Sequence, residues 1–158
     1  MEVSVSLIVK NEEKCLRKAL ESVKDADEII IVDTGSTDKT VEIAKEYGKA
    51  YHQKWAQDFA KARNYSLSKC TKDWVLIIDA DEELISSMDE VREAIKKTKH
   101  NALKFTVTGG KESMKQIRVF RRTDGKWVGA AHNYLIGLDP EQTDLRLEYG
   151  YSPAHADD

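Results

Sequence analysis

The feature that most constrains the fold is an apolar run that ends abruptly in acidic residues, Trp74 to Glu83. Residues 74–78 are all apolar, a pattern typical of a strand buried on both faces of a parallel sheet. Asp79 and Asp81 follow, and such a strand would carry them to the carboxyl edge of the sheet, where open α/β folds bind ligands. In an extended chain the two carboxylates would leave the same side and suit Mg²⁺ or Mn²⁺. Alternatively, these acids cap a helix that begins near Leu84.

Strand and helix patterns alternate through the first eighty residues. The strand patterns cover 3–9, 28–33, 50–54 and 74–78. Helical patterns lie between them: one that Asn11 could cap, one that Gly48 ends and one over 59–67. A further helix starts at the capping residues 86–90. This order predicts a mainly parallel sheet with helices on both faces.

Beyond residue 100 the pattern changes to period-two alternation, typical of exposed or half-buried strands. It is seen in residues 103–108, 116–120 and 145–147, with turn signals at 109–110 and 124–125. The second half is therefore predicted to be strand-rich and partly antiparallel. A length of 158 residues without a linker or repeat favours a single domain.

The composition excludes several function classes. A net charge of −3 without a Lys/Arg run argues against nucleic-acid binding. The apolar runs are too short for a transmembrane segment, and the first residues do not resemble a signal peptide. Cys15 and Cys70 lack metal-ligand spacing and are predicted to be thiols rather than a disulfide. We therefore expect a soluble cytoplasmic protein.

Three predicted strands end in polar loops, 10–13, 33–38 and 79–83. In a parallel sheet these loops emerge at one edge and converge. Asp33 ends an apolar strand, and its carboxylate could accept the imide N–H of a uracil or thymine ring. The loop that follows lacks the glycine spacing of a phosphate loop or of a dinucleotide fingerprint.

Several ordered motifs together resemble family-2 glycosyltransferases of the GT-A fold. The residues that carry the resemblance are 6–12, 31–40, 59–64, 77–82, 117–121, 127–132 and 148–152. The resemblance implies a Rossmann-like αβα sandwich with a mainly parallel central sheet and a strand-rich C-terminal half. It further implies one GT-A domain over 1–158, with a nucleotide-binding half, 1–100, and an acceptor and metal half, 101–158.

The resemblance also implies the reaction and the residues that carry it. A hexose or N-acetylhexosamine would pass from a UDP-sugar to an acceptor hydroxyl, with inversion and with the help of Mn²⁺ or Mg²⁺. Asp81 and His132 would hold the metal, and Asp81, Glu82 and Glu83 are the candidate catalytic acids. The nucleotide-sugar would contact Val9, Asn11, Glu13, Asp33, Gly35, Ser36, Arg63, Asp79 and Ala80. For Arg63, the alternative is a place on a solvated helix face.

Two departures from the family pattern leave the catalytic base open. Asn133 follows His132 where the family usually has an acid, and an amide cannot take a proton. Glu148 stands where the group often has His. The chain also ends before the helices that usually complete the acceptor side, so the acceptor (a glycan, lipid or protein) is not specified. The alternative function is a non-catalytic module that binds a nucleotide-sugar or a partner. Self-association through an exposed sheet edge is a further expectation.

A sugar-1-phosphate nucleotidyltransferase would share the nucleotide-binding topology. Such an enzyme would need a glycine-rich loop with a basic residue after the first strand. Residues 10–13 contain no glycine, so this activity ranks below glycosyl transfer.

Overall fold

The computed structural model describes residues 1–150, which form one large sheet, a small hairpin and four helices. The strands are β1 (Val3–Val9), β2 (Glu28–Asp33), β3 (Lys49–His52), β4 (Trp74–Ile77), β5 (Glu82–Leu84), β6 (Ala102–Gly109), β7 (Glu112–Arg121), β8 (Lys126–Val128), β9 (Tyr134–Ile136) and β10 (Pro140–Tyr149). The helices are α1 (Leu16–Ser22), α2 (Thr40–Tyr47), α3 (Phe59–Lys69) and α4 (Met88–Lys97).

The eight-stranded sheet has the order β3-β2-β1-β4-β7-β6-β10-β5. Strands β3, β2, β1 and β4 are parallel, as their alternation with helices predicts. Strand β7 runs antiparallel to both β4 and β6, whereas β10 is parallel to β6. Strands β8 and β9 form a separate antiparallel hairpin. The predicted change from a parallel to a mixed sheet is confirmed.

The sheet is covered on both faces, which explains the long apolar strands. One face packs against α1, α2 and α4, through side chains such as Leu20, Ile43 and Val91. The opposite face packs against α3 and the β8–β9 hairpin, through Leu67 and Trp127. All four residues of β4 are buried, because this strand lies in the middle of the sheet under both layers.

Two predictions about helix caps turn out differently from each other. Asn11 does not cap α1, whose N-cap is Cys15 without a side-chain cap bond. Asn11 lies earlier, at a φ of 53°, and its side chain instead accepts from the backbone N–H of Thr37. Ser87 does cap α4, in a capping box with Glu90.

The chain after Asp79 forms no helix at once. It turns into the short strand β5, and the next helix starts only at Met88. The alternative reading of the acids as a helix cap is therefore wrong. The reason lies in the tertiary structure, since β5 pairs with β10, a strand more than fifty residues further along the chain.

Both cysteines are free thiols. Burial raises the pKa of Cys70 to about 12, so this thiol stays protonated and unreactive at neutral pH. Within residues 1–150, none of the helices combines the length and the apolar character needed to cross a bilayer.

Candidate active site

A cavity of about 520 Å³ opens at the carboxyl ends of β1, β2 and β4. Each of the three polar loops singled out in the sequence contributes to its wall, so the predicted convergence of these loops is confirmed. The residues that line the cavity are Ile8, Val9, Lys10, Glu12, Thr34, Trp55, Phe59, Arg63, Asp79, Ala80 and Asp81. Val9, Arg63, Asp79, Ala80 and Asp81 were expected here, and the others were not.

Hydrogen bonds join the loop after β1 to the loop after β2. The backbone N–H of Asn11 donates to Ser36 Oγ over 2.8 Å, and Asn11 Oδ1 accepts from the N–H of Thr37 over 2.8 Å. Glu13 Oε2 accepts from the N–H of Lys39 over 3.1 Å. Three of the predicted nucleotide-binding residues, Asn11, Glu13 and Ser36, thus hold the two loops in a fixed relation beside the cavity.

Asp38 strengthens the same connection. Its carboxylate accepts from the N–H of Thr40 over 2.9 Å and from the N–H of Glu13 over 3.3 Å. Burial acts to raise the pKa of Asp38, but the hydrogen bonds from the Thr40 hydroxyl and from the backbone outweigh it and lower that pKa. Asp38 is therefore ionised throughout the physiological range, when its hydrogen bonds to the loops are strongest.

Asp33 organises the turn that follows β2. Its side chain is 4% exposed, and Oδ2 accepts from the N–H groups of Gly35 and Ser36, both over 3.1 Å. Gly35 has a φ of 128°, a conformation that a residue with a side chain rarely adopts. His52 Nδ1 lies 3.6 Å from the same carboxylate oxygen. Asp33 thus shapes the loop, and its expected contact with a base stays a prediction.

Asp79 and Asp81 both line the cavity, but on a turn rather than in an extended chain. Strand β4 ends at Ile77, and the N–H of Glu82 donates to the carbonyl of Asp79 over 3.0 Å. The prediction that their side chains share one side of a strand is therefore wrong. The turn is fixed from outside as well, because the N–H of Gly150 donates to the carbonyl of Asp81 over 3.0 Å.

Arg63 reaches from α3 across the cavity to Asp79. Its Nη2 lies 3.1 Å from Asp79 Oδ1, and the guanidinium stands over the Trp127 ring, 4.8 Å from the centroid. The side chain is only 15% exposed, which excludes the solvated helix face. Its Nε is buried and has no acceptor among residues 1–150. Arg63 therefore belongs to the site, as the family resemblance implies.

A buried ion pair, Glu82 with Arg118, supports the aspartate turn from below. Arg118 donates to both carboxylate oxygens, over 2.6 and 2.7 Å, and Glu82 Oε1 also accepts from the N–H of Asp79 over 2.7 Å. Burial, together with the charge of Asp79, raises the pKa of Glu82, although Arg118 acts in the opposite direction. The pair fixes the backbone of Asp79, whose side chain lines the cavity.

Arg118 reaches Glu82 because β7 contains a β-bulge. Leu103 pairs with Val119 and the next residue, Lys104, pairs with Ile117, so Arg118 has no partner on β6. A bulge bends the strand and redirects a side chain, which is why bulges are frequent beside active sites. The sequence analysis placed Arg118 in a family motif but assigned it no role. Strand patterns do not reveal an extra residue in a ladder.

Trp55 and Phe59 are aromatic residues of the cavity that sequence reasoning missed. Their ring centroids lie 4.8 Å apart at an interplanar angle of 67°, an edge-to-face arrangement. Phe59 is 40% exposed, so its ring is available to a ligand. Their spacing of four residues, at the start of a helix, is the signal that would have indicated a shared aromatic surface.

His132 lies in the loop between β8 and β9, and its side chain is exposed and outside the lining of the cavity. The loop is held near α3, because the N–H of Phe59 donates to the carbonyl of Ala130 over 2.8 Å. Across residues 1–150, no group of three His, Cys, Asp or Glu side chains converges as a metal cluster. A magnesium ion often takes only one or two carboxylates when phosphates supply the remaining ligands. The pairing of Asp81 with His132 stays a prediction.

Glu83, a candidate catalytic acid, lies on β5 beyond the aspartate turn. Its side chain is 34% exposed, with Lys18 Nζ 4.0 Å from Oε1. Together with Asp81 and Glu82 it lines a separate cavity of about 250 Å³. Glu83 is thus open to solvent, whereas the carboxylate of Glu82 is not.

Asn64 connects α3 to the hairpin that carries Trp127. Its Nδ2 donates to the Trp127 carbonyl over 2.9 Å, and its Oδ1 accepts from the Trp127 N–H over 3.0 Å. We expect Asn64→Ala to lower the free energy of unfolding by about 1–3 kcal/mol, because two backbone groups lose their partners. Urea denaturation measures this change. Ser68→Ala, at an exposed position of the same helix, should stay within about 0.5 kcal/mol of wild type. Equal stabilities for both variants would contradict the role of Asn64.

Comparison with known proteins is consistent with this arrangement. The family model described as glycosyl transferase family 2 matches residues 4–109, more than half of the chain. A TPR repeat-containing protein of Synechococcus elongatus is 47% identical over 160 residues, which cover 92% of this chain and 39% of that protein. The chain thus spans well under half the length of the curated relatives that it matches.

Two solved structures share the fold. One is S. aureus TarS in complex with UDP, with a TM-score of 0.76 at 17% identity, covering 97% of this chain and 61% of that one. The other is the mannosyltransferase PcManGT from Pyrobaculum calidifontis in complex with GDP-Man and Mn²⁺, with a TM-score of 0.72 at 18% identity, covering 93% and 56%. These likenesses confirm the GT-A fold. The extent of the family match settles the membership: the chain belongs to glycosyl transferase family 2.

Proposed function

We propose that the chain is the nucleotide-sugar domain of a metal-dependent glycosyltransferase. It would transfer a hexose or N-acetylhexosamine from a UDP-sugar to an acceptor hydroxyl, with inversion at the anomeric carbon. The observation that carries the proposal is the cavity at the carboxyl edge of the parallel strands, where Asp79 and Asp81 meet Arg63 and an aromatic pair. Ligands of open α/β sheets bind at this edge.

The charges of the cavity favour a divalent cation. Three carboxylates line it, those of Glu12, Asp79 and Asp81, against the two basic groups of Lys10 and Arg63. A diphosphate would meet excess negative charge there unless a cation came with it. Asp81, together with His132, would hold Mn²⁺ or Mg²⁺, since these ions prefer oxygen ligands. When bound, the ion would neutralise the leaving diphosphate as a Lewis acid.

The remaining residues would hold the donor. The loop shaped by Asp33 would receive the base and ribose, and Arg63 would fix Asp79 beside the donor sugar. Within this proposal Glu82 positions the aspartate turn rather than accepting a proton, because Arg118 occupies both of its oxygens. Glu83 is then the candidate base from the acidic segment, since its carboxylate is open to solvent.

A direct, in-line attack by the acceptor hydroxyl suits this set of residues. Such a course needs a bound donor and a base but no covalent intermediate on the protein. The chain offers no Ser/His/Asp or Cys/His arrangement in its motifs that would suggest a nucleophile of its own. The expected product therefore has the opposite anomeric configuration to the donor.

The donor nucleotide is tested by calorimetric titration of UDP, GDP and TDP, each with and without Mn²⁺. We expect UDP to bind in the presence of Mn²⁺ and at least about tenfold more weakly without it, because the carboxylates then repel the diphosphate. Binding of GDP in place of UDP would keep the transferase and change the donor. Failure of all three nucleotides to bind would contradict the proposed function.

Turnover separates the enzyme from a non-catalytic module. The protein with Mn²⁺ is incubated with UDP-glucose or UDP-N-acetylglucosamine, and the release of UDP is measured. Release above the protein-free rate supports a transferase, which can also pass the sugar slowly to water. Tight binding without any release, even with acceptor sugars present, would favour the module that only binds a nucleotide-sugar.

A further inference from the structure

A second cavity, of about 440 Å³, lies on the other side of the Arg63–Asp79 pair. Both of these residues also line it, so the two cavities meet at this ion pair. The rest of its lining comes from the β6 and β7 strands and from the β8–β9 hairpin, including Trp127 and Tyr134. A molecule in this second cavity would therefore lie next to the sugar end of a donor held in the first.

The charge of the second cavity is opposite to that of the first. Among the described residues, Asp79 is the one carboxylate that lines it, and Asp79 already faces Arg63. The other charged side chains in the lining are the cations Lys104, Lys115 and Arg118. Glu82 neutralises Arg118, which leaves the two lysines to set the sign of the charge.

Lys104 is the more informative of the two lysines. It lies on β6 directly after the bulge, and it is half-buried. Its ammonium group has no ion-pair or hydrogen-bond partner anywhere in residues 1–150. A partly desolvated ammonium without an anion is unfavourable, and a bound anion would compensate this cost.

Lys115 is close by on the neighbouring strand and points toward the same face. Its register partner is Thr106, two residues after Lys104 on β6. Its Nζ contacts the Thr143 carbonyl and lies 3.7 Å from Asp144 Oδ1, but the Asp144 side chain is fully exposed. Such a solvent-exposed pair is weak, so Lys115 can exchange it for an anionic ligand. The buried Arg63 Nε, which also lacks an acceptor within the described chain, lies at the same boundary.

We infer that the second cavity binds an acceptor carrying an anionic group, phosphate or carboxylate, which Lys104 and Lys115 hold. The inference rests on the proposed function, since it names the class of acceptor for that transfer. The anionic group would lie on the lysines, while the hydroxyl to be glycosylated faces the Arg63–Asp79 pair. The exposed ring of Tyr134 and the indole of Trp127 offer apolar surface to the uncharged part of the acceptor.

The inference is tested with small probes titrated into the full chain without nucleotide. The probes are glycerol 3-phosphate, glycerate and glycerol, and the readout is the NMR shift of the Trp127 indole N–H. We expect saturable shifts with at least one of the two anions and none with glycerol. The anion that binds more tightly identifies the group. Equal responses to all three probes, or none to either anion, would overturn the inference.

Substitution of Lys104 locates the binding. Lys104→Gln should weaken the binding of the anion about tenfold or more, because a charge-assisted contact is lost. Lys111→Gln, in the exposed β6–β7 turn, is the matched control and should bind the anion as wild type does. An unchanged affinity in Lys104→Gln, or displacement of the anion by UDP with Mn²⁺, would overturn the inference. UDP titration of Lys104→Gln should match wild type, so that failure of the donor site and failure of the acceptor site are distinguished.

Discussion

Asp81→Asn is expected to abolish the metal-dependent part of UDP binding, with a loss in affinity of more than about 100-fold. The amide keeps the size of the side chain but removes the charge that a divalent cation needs. Even substitutions of outer-shell residues cost about 10–100-fold in metal affinity, so loss of a direct ligand should cost more. Calorimetric titration of UDP at fixed Mn²⁺, and of Mn²⁺ at fixed UDP, measures both affinities.

The design of this test keeps metal binding apart from folding. Asp139→Asn, at an exposed position in the turn before β10, removes one carboxylate elsewhere and should bind UDP as wild type does. Thermal unfolding without ligand should be similar for both variants, because Asp81 lies on a surface turn. If Asp81→Asn bound UDP and Mn²⁺ like wild type, the metal assignment would be wrong.

Arg118→Leu is expected to lower the free energy of unfolding by about 3–5 kcal/mol. The substitution leaves the Glu82 carboxylate buried and without its cation, which is the costly way to break a buried ion pair. The double variant Arg118→Leu with Glu82→Leu should recover most of the loss, because no unpaired charge remains. Urea denaturation of the three proteins provides the comparison.

The pH dependence gives this prediction a second readout. Arg118 acts to lower the pKa of Glu82, so its removal should raise that pKa further above the value in the unfolded chain. A raised pKa of an acid in the folded state destabilises the fold only where the acid is ionised in the unfolded chain. The loss in Arg118→Leu should therefore be largest at neutral pH and shrink as the pH falls through the raised pKa.

An exposed ion pair serves as the control for Arg118. Arg146→Leu removes a guanidinium that lies 3.6 Å from Glu148, with both side chains about half-exposed. Such pairs contribute about 0–1 kcal/mol, so this variant should remain near wild type. If Arg118→Leu were no more harmful than Arg146→Leu, the buried pair would not hold the aspartate turn.

The sequence by itself determined the elements of the fold and the edge of the sheet at which they meet. The apolar run of β4 predicted a central strand, and the Ser87 capping box predicted where α4 begins. These signals are local, since a strand buried on both faces or a capped helix is encoded within about ten residues. The convergence of three polar loops followed because parallel strands share a carboxyl edge.

Only the tertiary structure decided how the site is held. Arg118 lies 36 residues from Glu82, and their pairing depends on the order of the strands and on a bulge in β7. Asn11 reads as a helix cap along the chain, but in the fold its side chain meets Thr37 on the neighbouring loop. Hydrophobic periodicity reports which face of an element is buried, not which polar groups meet across the sheet, because those partners are brought together by strand register and loop packing.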